Sequence, residues 1–203
     1  TFTPEWEKPV GAVLDHYGAD NVTIIGVSLG GELCMRAAAM EPRIRRVVSW
    51  SVLPSIYGAL MADKPAEIQA KLERWLDENN RDAILDLYAG LAEREPLFRW
   101  SIQHSNYAYG TSDVYEYLQK ARAFTIEPVA ERITQDVLLL SAREDLLVDF
   151  ALYKQEIDLL KNTRSLEFAA PGRALNGQAH CNMGNTKYML DLILNWNDRM
   201  LER

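Results

Sequence analysis

One segment constrains the fold more than any other: Gly26-Val-Ser-Leu-Gly30, in which a serine stands between two glycines. Residues 21–27 are nearly all apolar or β-branched, as in a parallel strand covered on both faces. The residues that follow, Leu29–Met40, have the pattern of a helix, and Pro42 ends that helix. At such a junction the pattern predicts a sharp turn that strains the backbone of Ser28 and exposes its hydroxyl. Both glycines are expected because strand and helix pass too closely there for side chains.

The rest of the chain contains two kinds of sequence. Residues 1–53 and 129–203 alternate short apolar runs with helical patterns, which predicts an α/β fold with a mostly parallel sheet. Residues 54–128 predict one helix after another and no convincing strand, so we interpret them as a helical lid inserted into the sheet domain. The predicted strands are residues 21–27, 44–52, 137–141 and 165–169. The predicted helices include residues 4–17, 29–40, 96–100, 150–161 and 186–203, and one that Ser112 caps.

The charge balance excludes several classes of partner. Of 203 residues, 22 are Lys or Arg and 29 are Asp or Glu, which gives a net charge of −7. No basic patch stands out, so neither nucleic acid nor an anionic membrane is an expected partner. Cys34 and Cys181 make no disulfide framework and no Cys-x-x-Cys pair, which indicates a reducing compartment such as the cytoplasm. The histidines lack the close pairing of a metal site, and we expect no metal or cofactor.

A serine nucleophile needs a histidine base and a carboxylate that orients it. After a turn of this kind, the acid and then the histidine come later in the chain. The chain has three histidines. His16 precedes the serine in the opening helix, and His104 lies in the predicted lid. His180 follows the last predicted strand in a loop with the glycines needed to swing it over Ser28, and it is therefore the expected base.

The expected acid lies just after the strand that ends near Ser141. Glu144, Asp145 and Asp149 are the candidates, and Asp145 is the best placed of them in the loop directly after the strand. The backbone N–H of Leu29, at the start of the helix, is one expected donor to an oxyanion. The other interpretation of the glycine-rich turn is a phosphate-binding loop.

Other residues could also contribute to a site. Trp100, His104 and Tyr107 cluster in the predicted lid, where aromatic side chains commonly line a substrate pocket. Packing within the lid is the alternative role for them. A thiol nucleophile at Cys34 or Cys181 is disfavoured because the turn geometry belongs to Ser28.

These motifs resemble the α/β-hydrolase superfamily. The resemblance rests on the serine turn, on Ala142-Arg-Glu-Asp145 and on Ala179-His-Cys181. One branch of the superfamily includes fungal polyketide-shortening hydrolases, 2,6-dihydropseudooxynicotine hydrolase and acylaminoacyl-peptidase-like proteins. The motifs that resemble this branch are Arg36-Ala-Ala with Glu41-Pro-Arg-Ile44, Leu97-Phe-Arg-Trp100 with Gly110, and residues 125–133. The resemblance implies Ser28 as nucleophile, Asp145 as acid and His180 as base. Glu32 and Asp136 depart from the family pattern without touching these three residues.

The resemblance also implies strands that this sequence lacks. Such a fold has eight strands, and the serine turn follows the fifth, yet only 20 residues precede Asn21. We therefore expect this sequence to be the carboxyl-terminal half to two-thirds of a larger hydrolase, with the amino-terminal strands and the second oxyanion donor outside it. The strand at residues 21–27 would then be an unpaired apolar edge.

The sequence as a whole predicts a serine hydrolase that cleaves a small or medium acyl-type substrate through an acyl-enzyme. An ester, an amide or peptide, a thioester and the C–C bond of a β-diketone all share the addition step, so the bond stays open. The alternative is a non-catalytic relative that binds a partner or acts as a scaffold. A homodimer is compatible with the sequence.

Overall fold

The structure is a computed structural model that describes all residues, Thr1–Arg203. The chain divides into two compact units. Pro4–Ala59 and Thr125–Arg203 form the sheet unit, and Thr1–Thr3 with Leu60–Phe124 form the helical unit. The helices are α1 (Glu7–Tyr17), α2 (Leu29–Met40), α3 (Ile56–Ala62), α4 (Ala66–Asp77), α5 (Arg81–Arg94), α6 (Pro96–Tyr109), α7 (Val114–Ala121), α8 (Leu152–Leu159) and α9 (Thr186–Leu201). None of them is long and apolar enough to cross a membrane.

The sheet unit contains four parallel strands in sequence order. These are β1 (Val22–Val27), β2 (Ile44–Trp50), β3 (Asp136–Leu140) and β4 (Ser165–Ala169). In the register, Val27 pairs with Trp50, Trp50 with Leu140, and Leu140 with Ala169. The four strands therefore end level with one another, and the loops that follow them gather at one edge of the sheet.

Side chains that alternate along the strands build a core on each face of the sheet. On one face, Val47, Val137 and Leu139 pack with α1, α2 and α8. On the other face, Val48, Leu138 and Leu140 pack with α9, whose buried side chains are Met189, Ile193, Trp196 and Met200. The predicted α/β class with a mostly parallel sheet is confirmed.

β1 differs from the expectation for a covered strand. It pairs only with β2 and lies at the edge of the sheet. Ile25 and Val27 are 47% and 49% exposed, because no neighbouring strand or helix covers them. The prediction of cover on both faces is therefore wrong for β1, whereas β3 is buried along its whole length.

The helical unit consists mainly of α4, α5, α6 and α7, with a core that includes Leu72, Leu76, Ile84, Leu118 and Phe124. Two predictions are corrected here. α6 continues past residue 100 to Tyr109 and ends at Gly110, which has a φ of 65°. The cap of α7 is Asp113 instead of Ser112, because the Asp113 carboxylate accepts from the N–H of Glu116 at 3.0 Å. The interpretation of this unit as a lid stays a prediction.

Candidate active site

Ser28 stands at the junction of β1 and α2 with a backbone that L-residues rarely adopt. Its φ is 57° and its ψ is −123°, in the region where a non-glycine residue is strained. The Ser28 N–H donates to the carbonyl of Trp50 at 2.9 Å, which ties the turn to the end of β2. The expected strained turn is therefore present.

The glycines around Ser28 have different roles from those predicted. A Cβ at Gly26 would lie 1.8 Å from the carbonyl oxygen of Gly30, so Gly26 is required by close contact. A Cβ at Gly30 would meet nothing within 4 Å, which corrects the expectation for that position. The second close approach is at Gly31, where a Cβ would lie 2.4 Å from the carbonyl oxygen of Ser51.

Three side chains meet at the carboxyl-terminal edge of the sheet. Ser28 Oγ lies 2.9 Å from His180 Nε2, and His180 Nδ1 lies 2.7 Å from Asp145 Oδ2. Because an ionised carboxylate can only accept, the Nδ1–H of His180 donates to Asp145. Nε2 is then free to accept the hydroxyl proton of Ser28. The three predicted residues thus form one continuous chain of hydrogen bonds.

The loop after β3 holds the Asp145 carboxylate in place. Its side chain is only 2% exposed, and its Oδ1 accepts from the N–H groups of Leu147 and Val148 at 2.8 and 3.1 Å. Burial acts to raise the pKa of Asp145, but the hydrogen bonds from His180 and Leu147 outweigh it and leave that pKa below its ordinary value. Asp145 is therefore an ionised partner for the imidazole.

The carboxylate in turn changes the titration of the histidine. The hydrogen bond to Asp145 raises the pKa of His180 above its ordinary value of 6.5, and the neighbouring Cys181 adds to this effect. Only the neutral imidazole has Nε2 free to take a proton, and a raised pKa moves the population of that form to higher pH. Once it is neutral, the imidazole binds a transferred proton strongly.

The two alternative acids lie elsewhere in the same loop. Glu144 forms an exposed ion pair with Arg173, with 2.6 Å between Oε1 and Nε. Asp149 Oδ1 accepts from the N–H of Ala151 at 2.8 Å, just before α8. Neither carboxylate contacts His180, so Asp145 is the one that the structure brings to the histidine.

The N–H of Leu29 is available for a ligand. Leu29 is the first residue of α2, and its N–H has no acceptor within the protein. The first N–H groups of a helix lack intrahelical partners and carry partial positive charge. An oxygen that develops negative charge beside Ser28 would meet this donor.

The remaining predicted residues have the following surroundings. His16 is exposed on α1, with its ring against that of Tyr17. In the helical unit, the Trp100 and His104 rings stack at 5.1 Å, and Tyr107 is 86% exposed. A role of Trp100, His104 and Tyr107 in substrate binding stays a prediction.

The two cysteines are free and buried. The Cys34 thiol donates to the carbonyl of Gly31, and burial raises its pKa, which disfavours a thiolate. Cys181 is only 5% exposed beside the histidine. Ser28 is therefore the nucleophile candidate that meets a base.

Sequence reasoning missed two residues that support this arrangement, Trp50 and Asn182. The indole Nε1–H of Trp50 donates to Asn182 Oδ1 at 3.1 Å. Both side chains are buried. The only sequence signal was the position of Asn182 two residues after the predicted base, and no local pattern pairs it with Trp50.

The family model for the alpha/beta hydrolase fold matches residues 4–176. Hydrolase LUC6 from Fusarium sp is 27% identical over 135 residues, which cover 61% of this chain and 31% of that protein. Hydrolase acrC from Aspergillus aculeatus is 29% identical over 145 residues, 60% of this chain and 33% of that protein. The matched region thus spans about a third of these curated relatives.

Solved structures agree with this fold. The 2,6-dihydroxy-pseudo-oxynicotine hydrolase aligns over 94% of this chain and 45% of its own, with a TM-score of 0.57 and 18% identity. The α/β hydrolase GrgF from Penicillium sp. sh18 aligns over 97% of this chain and 72% of its own, with a TM-score of 0.63 and 14% identity. The family match together with the serine turn and the parallel sheet shows that the chain belongs to the α/β-hydrolase fold family.

Proposed function

We propose that this protein is a serine hydrolase that cleaves a small or medium acyl-type substrate. The observation that carries the proposal is the unbroken series of hydrogen bonds from Ser28 Oγ through the His180 imidazole to the buried Asp145 carboxylate. Nucleophile, base and orienting acid in this geometry form the arrangement used in acyl transfer. The curated relatives named as hydrolases support the same reaction class.

In the first step, His180 Nε2 takes the Ser28 proton as Oγ bonds to the acyl carbon. The carbonyl electron pair moves onto its oxygen, and the Leu29 N–H stabilises that oxyanion. When the tetrahedral intermediate collapses, the bond to the leaving group breaks and His180 returns the proton to that group. Water then attacks the acyl-enzyme with His180 again as base, which releases the acid and restores Ser28.

Ser28, His180 and Asp145 act as a unit, so the rate losses caused by removing them singly do not add. Loss of one oxyanion donor typically lowers kcat by about 10²–10³-fold. Asp145 holds the Nδ1 proton and stabilises the imidazolium, so its contribution passes through His180. The triad leaves the bond open among an ester, an amide, a thioester and a C–C bond, because all four share the addition step. We infer a cytoplasmic enzyme that needs neither nucleic acid nor a membrane as partner.

Labelling with a fluorophosphonate probe tests the proposal. The wild-type protein should form a covalent adduct and hydrolyse p-nitrophenyl esters, and Ser28→Ala should lose both properties. Ser112→Ala is the matched control, because Ser112 lies in the helical unit and bonds to Glu116. Circular dichroism checks that all three proteins are folded. A wild-type protein without adduct, or an adduct that persists in Ser28→Ala, would contradict the proposal and favour a non-catalytic binding protein.

A further inference from the structure

Asn182 lies two residues after His180 at a sharp reversal of the chain. Cys181 and Asn182 have φ values of 51° and 53°, so two successive non-glycine residues occupy the left-handed region. Such residues persist only where the surrounding structure holds them. The reversal turns the Asn182 side chain into the protein, where the residue is 1% exposed.

The buried amide of Asn182 uses both its donor group and its acceptor. Nδ2 donates to the carbonyls of Ser141 and Gly177 at 3.1 and 2.6 Å. Oδ1 accepts from the indole N–H of Trp50 at 3.1 Å. An amide on a short stem suits this position, because it offers two donors and an acceptor together. An aspartate of the same shape would turn a carboxylate toward two carbonyl oxygens.

These contacts join the three parts of the chain that carry the site. Ser141 follows β3 and leads into the loop of Asp145. Gly177 belongs to the loop that carries His180. Trp50 ends β2, and its carbonyl accepts from the N–H of Ser28 at 2.9 Å. The segments that carry the nucleophile, the acid and the base are thus all connected by hydrogen bonds to one side chain, that of Asn182, the first of them through Trp50.

We propose that Asn182 is a positioning residue that holds the His180 ring in line with Ser28 and Asp145, with the Trp50 indole as its anchor on the sheet. This inference rests on the proposed function. Asn182 touches none of the reacting atoms and acts through the loop that carries the histidine. Because a misplacement of about 1 Å lowers a rate by about 10²-fold, loss of this support should reduce the reactivity of Ser28 without changing substrate affinity.

The test compares three substitutions with a matched control. Asn182→Asp keeps the size and the acceptor but removes both donors, and Asn182→Ala removes all three hydrogen bonds. Trp50→Phe removes the indole donor and keeps an aromatic ring at this buried position. The control is Asn197→Ala, which removes a side-chain hydrogen bond of 2.5 Å to Thr23, on α9 and outside the site. Fluorophosphonate labelling rates, kcat and KM are measured for each.

We expect labelling and kcat to fall about 100-fold in both Asn182 variants and about 3- to 10-fold in Trp50→Phe, with KM unchanged. Asn197→Ala should label at the wild-type rate. In proton NMR, the Nδ1–H signal of His180 should broaden or move upfield in Asn182→Asp, because its hydrogen bond to Asp145 is no longer held. A purely structural role would lower stability and leave the labelling rate of the folded protein unchanged.

The outcomes separate this inference from the function on which it rests. If the wild-type protein forms no adduct at Ser28, the proposed function fails and this inference fails with it. If the wild-type protein labels at Ser28 and Asn182→Asp labels as fast, only the inference is overturned. If neither Asn182 variant folds, Trp50→Phe is the deciding variant. Labelling of Trp50→Phe at the wild-type rate, together with an unchanged Nδ1–H signal of His180, would overturn the inference.

Discussion

Two glutamates are buried in the sheet unit, and because of their burial we expect the free energy of unfolding to fall as pH rises. Glu32 on α2 is fully buried, and Glu156 on α8 is 1% exposed. The carboxyl oxygens of Glu32 have no hydrogen-bond partner, and for Glu156 the backbone of Leu53 supplies only a weak one. Arg36 Nε, at 3.7 Å from Glu32 Oε1, is the nearest cation, and Cys34 is the other titratable group that faces the pair. Both carboxyls should therefore be neutral in the folded protein at moderately acid pH.

The perturbation is Glu156→Gln, which keeps the shape and removes the titration. Burial raises the pKa of Glu156 to about 8, the charge of Glu32 adds to this, and the backbone of Leu53 offsets part of it. Burial likewise raises the pKa of Glu32 to about 8, against the opposing charge of Arg36. The ordinary value is 4.5, so between pH 4.5 and 8 the unfolded chain loses protons that the folded chain keeps.

The magnitude comes from proton linkage. A raised pKa in the folded state gives stability that is complete below pH 4.5 and is lost as pH rises toward 8. From pH 5 to 6.5, each carboxyl lowers the free energy of unfolding by about 2 kcal/mol, at 1.36 kcal/mol for each pH unit. Glu156→Gln should remove about that much of the decline. The raised pKa of His180 adds a smaller decline near pH 6.5, where the unfolded chain begins to lose that proton, and this decline is the same in both proteins.

Urea denaturation of the wild-type protein and of Glu156→Gln across pH 5 to 6.5 measures the two slopes. The comparison of slopes cancels any pH-independent effect of burying a glutamine amide. Glu144→Gln is the matched control, because Glu144 is exposed and its pKa is lowered by Arg173, so it titrates below this window. If Glu156→Gln declines as steeply as the wild-type protein, the buried pair does not hold its protons and the reasoning is refuted.

Three more changes test separate parts of the site. Asp145→Asn removes the charge that holds the Nδ1 proton of His180, so fluorophosphonate labelling should fall by roughly 10³–10⁴-fold; an unchanged rate would contradict that role. The labelling rate of the wild-type protein should rise with pH through a midpoint above 6.5, because Asp145 raises the pKa of His180, and the midpoint should move to lower pH in Asp145→Asn; equal midpoints would count against the coupling. Gly26→Ala should lower the free energy of unfolding by about 1–3 kcal/mol, because its Cβ meets the carbonyl of Gly30. Gly30→Ala has open space at its Cβ, so it should leave the free energy of unfolding unchanged or raise it by roughly 0.5–1 kcal/mol. Urea denaturation measures both values, and equal losses in the two variants would refute these different roles of the two glycines.

Local pattern accounts for what the sequence could predict. The apolar run, the glycines and the helical repeat around Ser28 lie within a few residues of one another, so they predict the strand, the turn and the helix together. The order of serine, acid and histidine then favours His180, the one histidine after the last predicted strand, and Asp145, the best placed of three acids after the strand that ends near Ser141. These inferences need only the direction of the strands and the chain order.

The rest depended on contacts between residues distant in sequence. Trp50 and Asn182 are separated by 132 positions, and no local pattern connects them. The contact glycine at Gly31, rather than Gly30, depends on how closely α2 approaches the carbonyl of Ser51 after β2. The apolar run of β1 wrongly predicted cover on both faces, because such a run does not distinguish a central strand from an edge strand; the edge position of β1 followed only from the strand count that the resemblance implies.

Peptide mapping of the fluorophosphonate adduct tests the central claim most directly. We expect a single adduct, on the Ser28 hydroxyl. It should form in the wild-type protein and form at least about 10³-fold more slowly in His180→Ala, because the oxygen then lacks its base. An adduct on another residue, or one that forms on Ser28 as fast without the imidazole, would contradict the account.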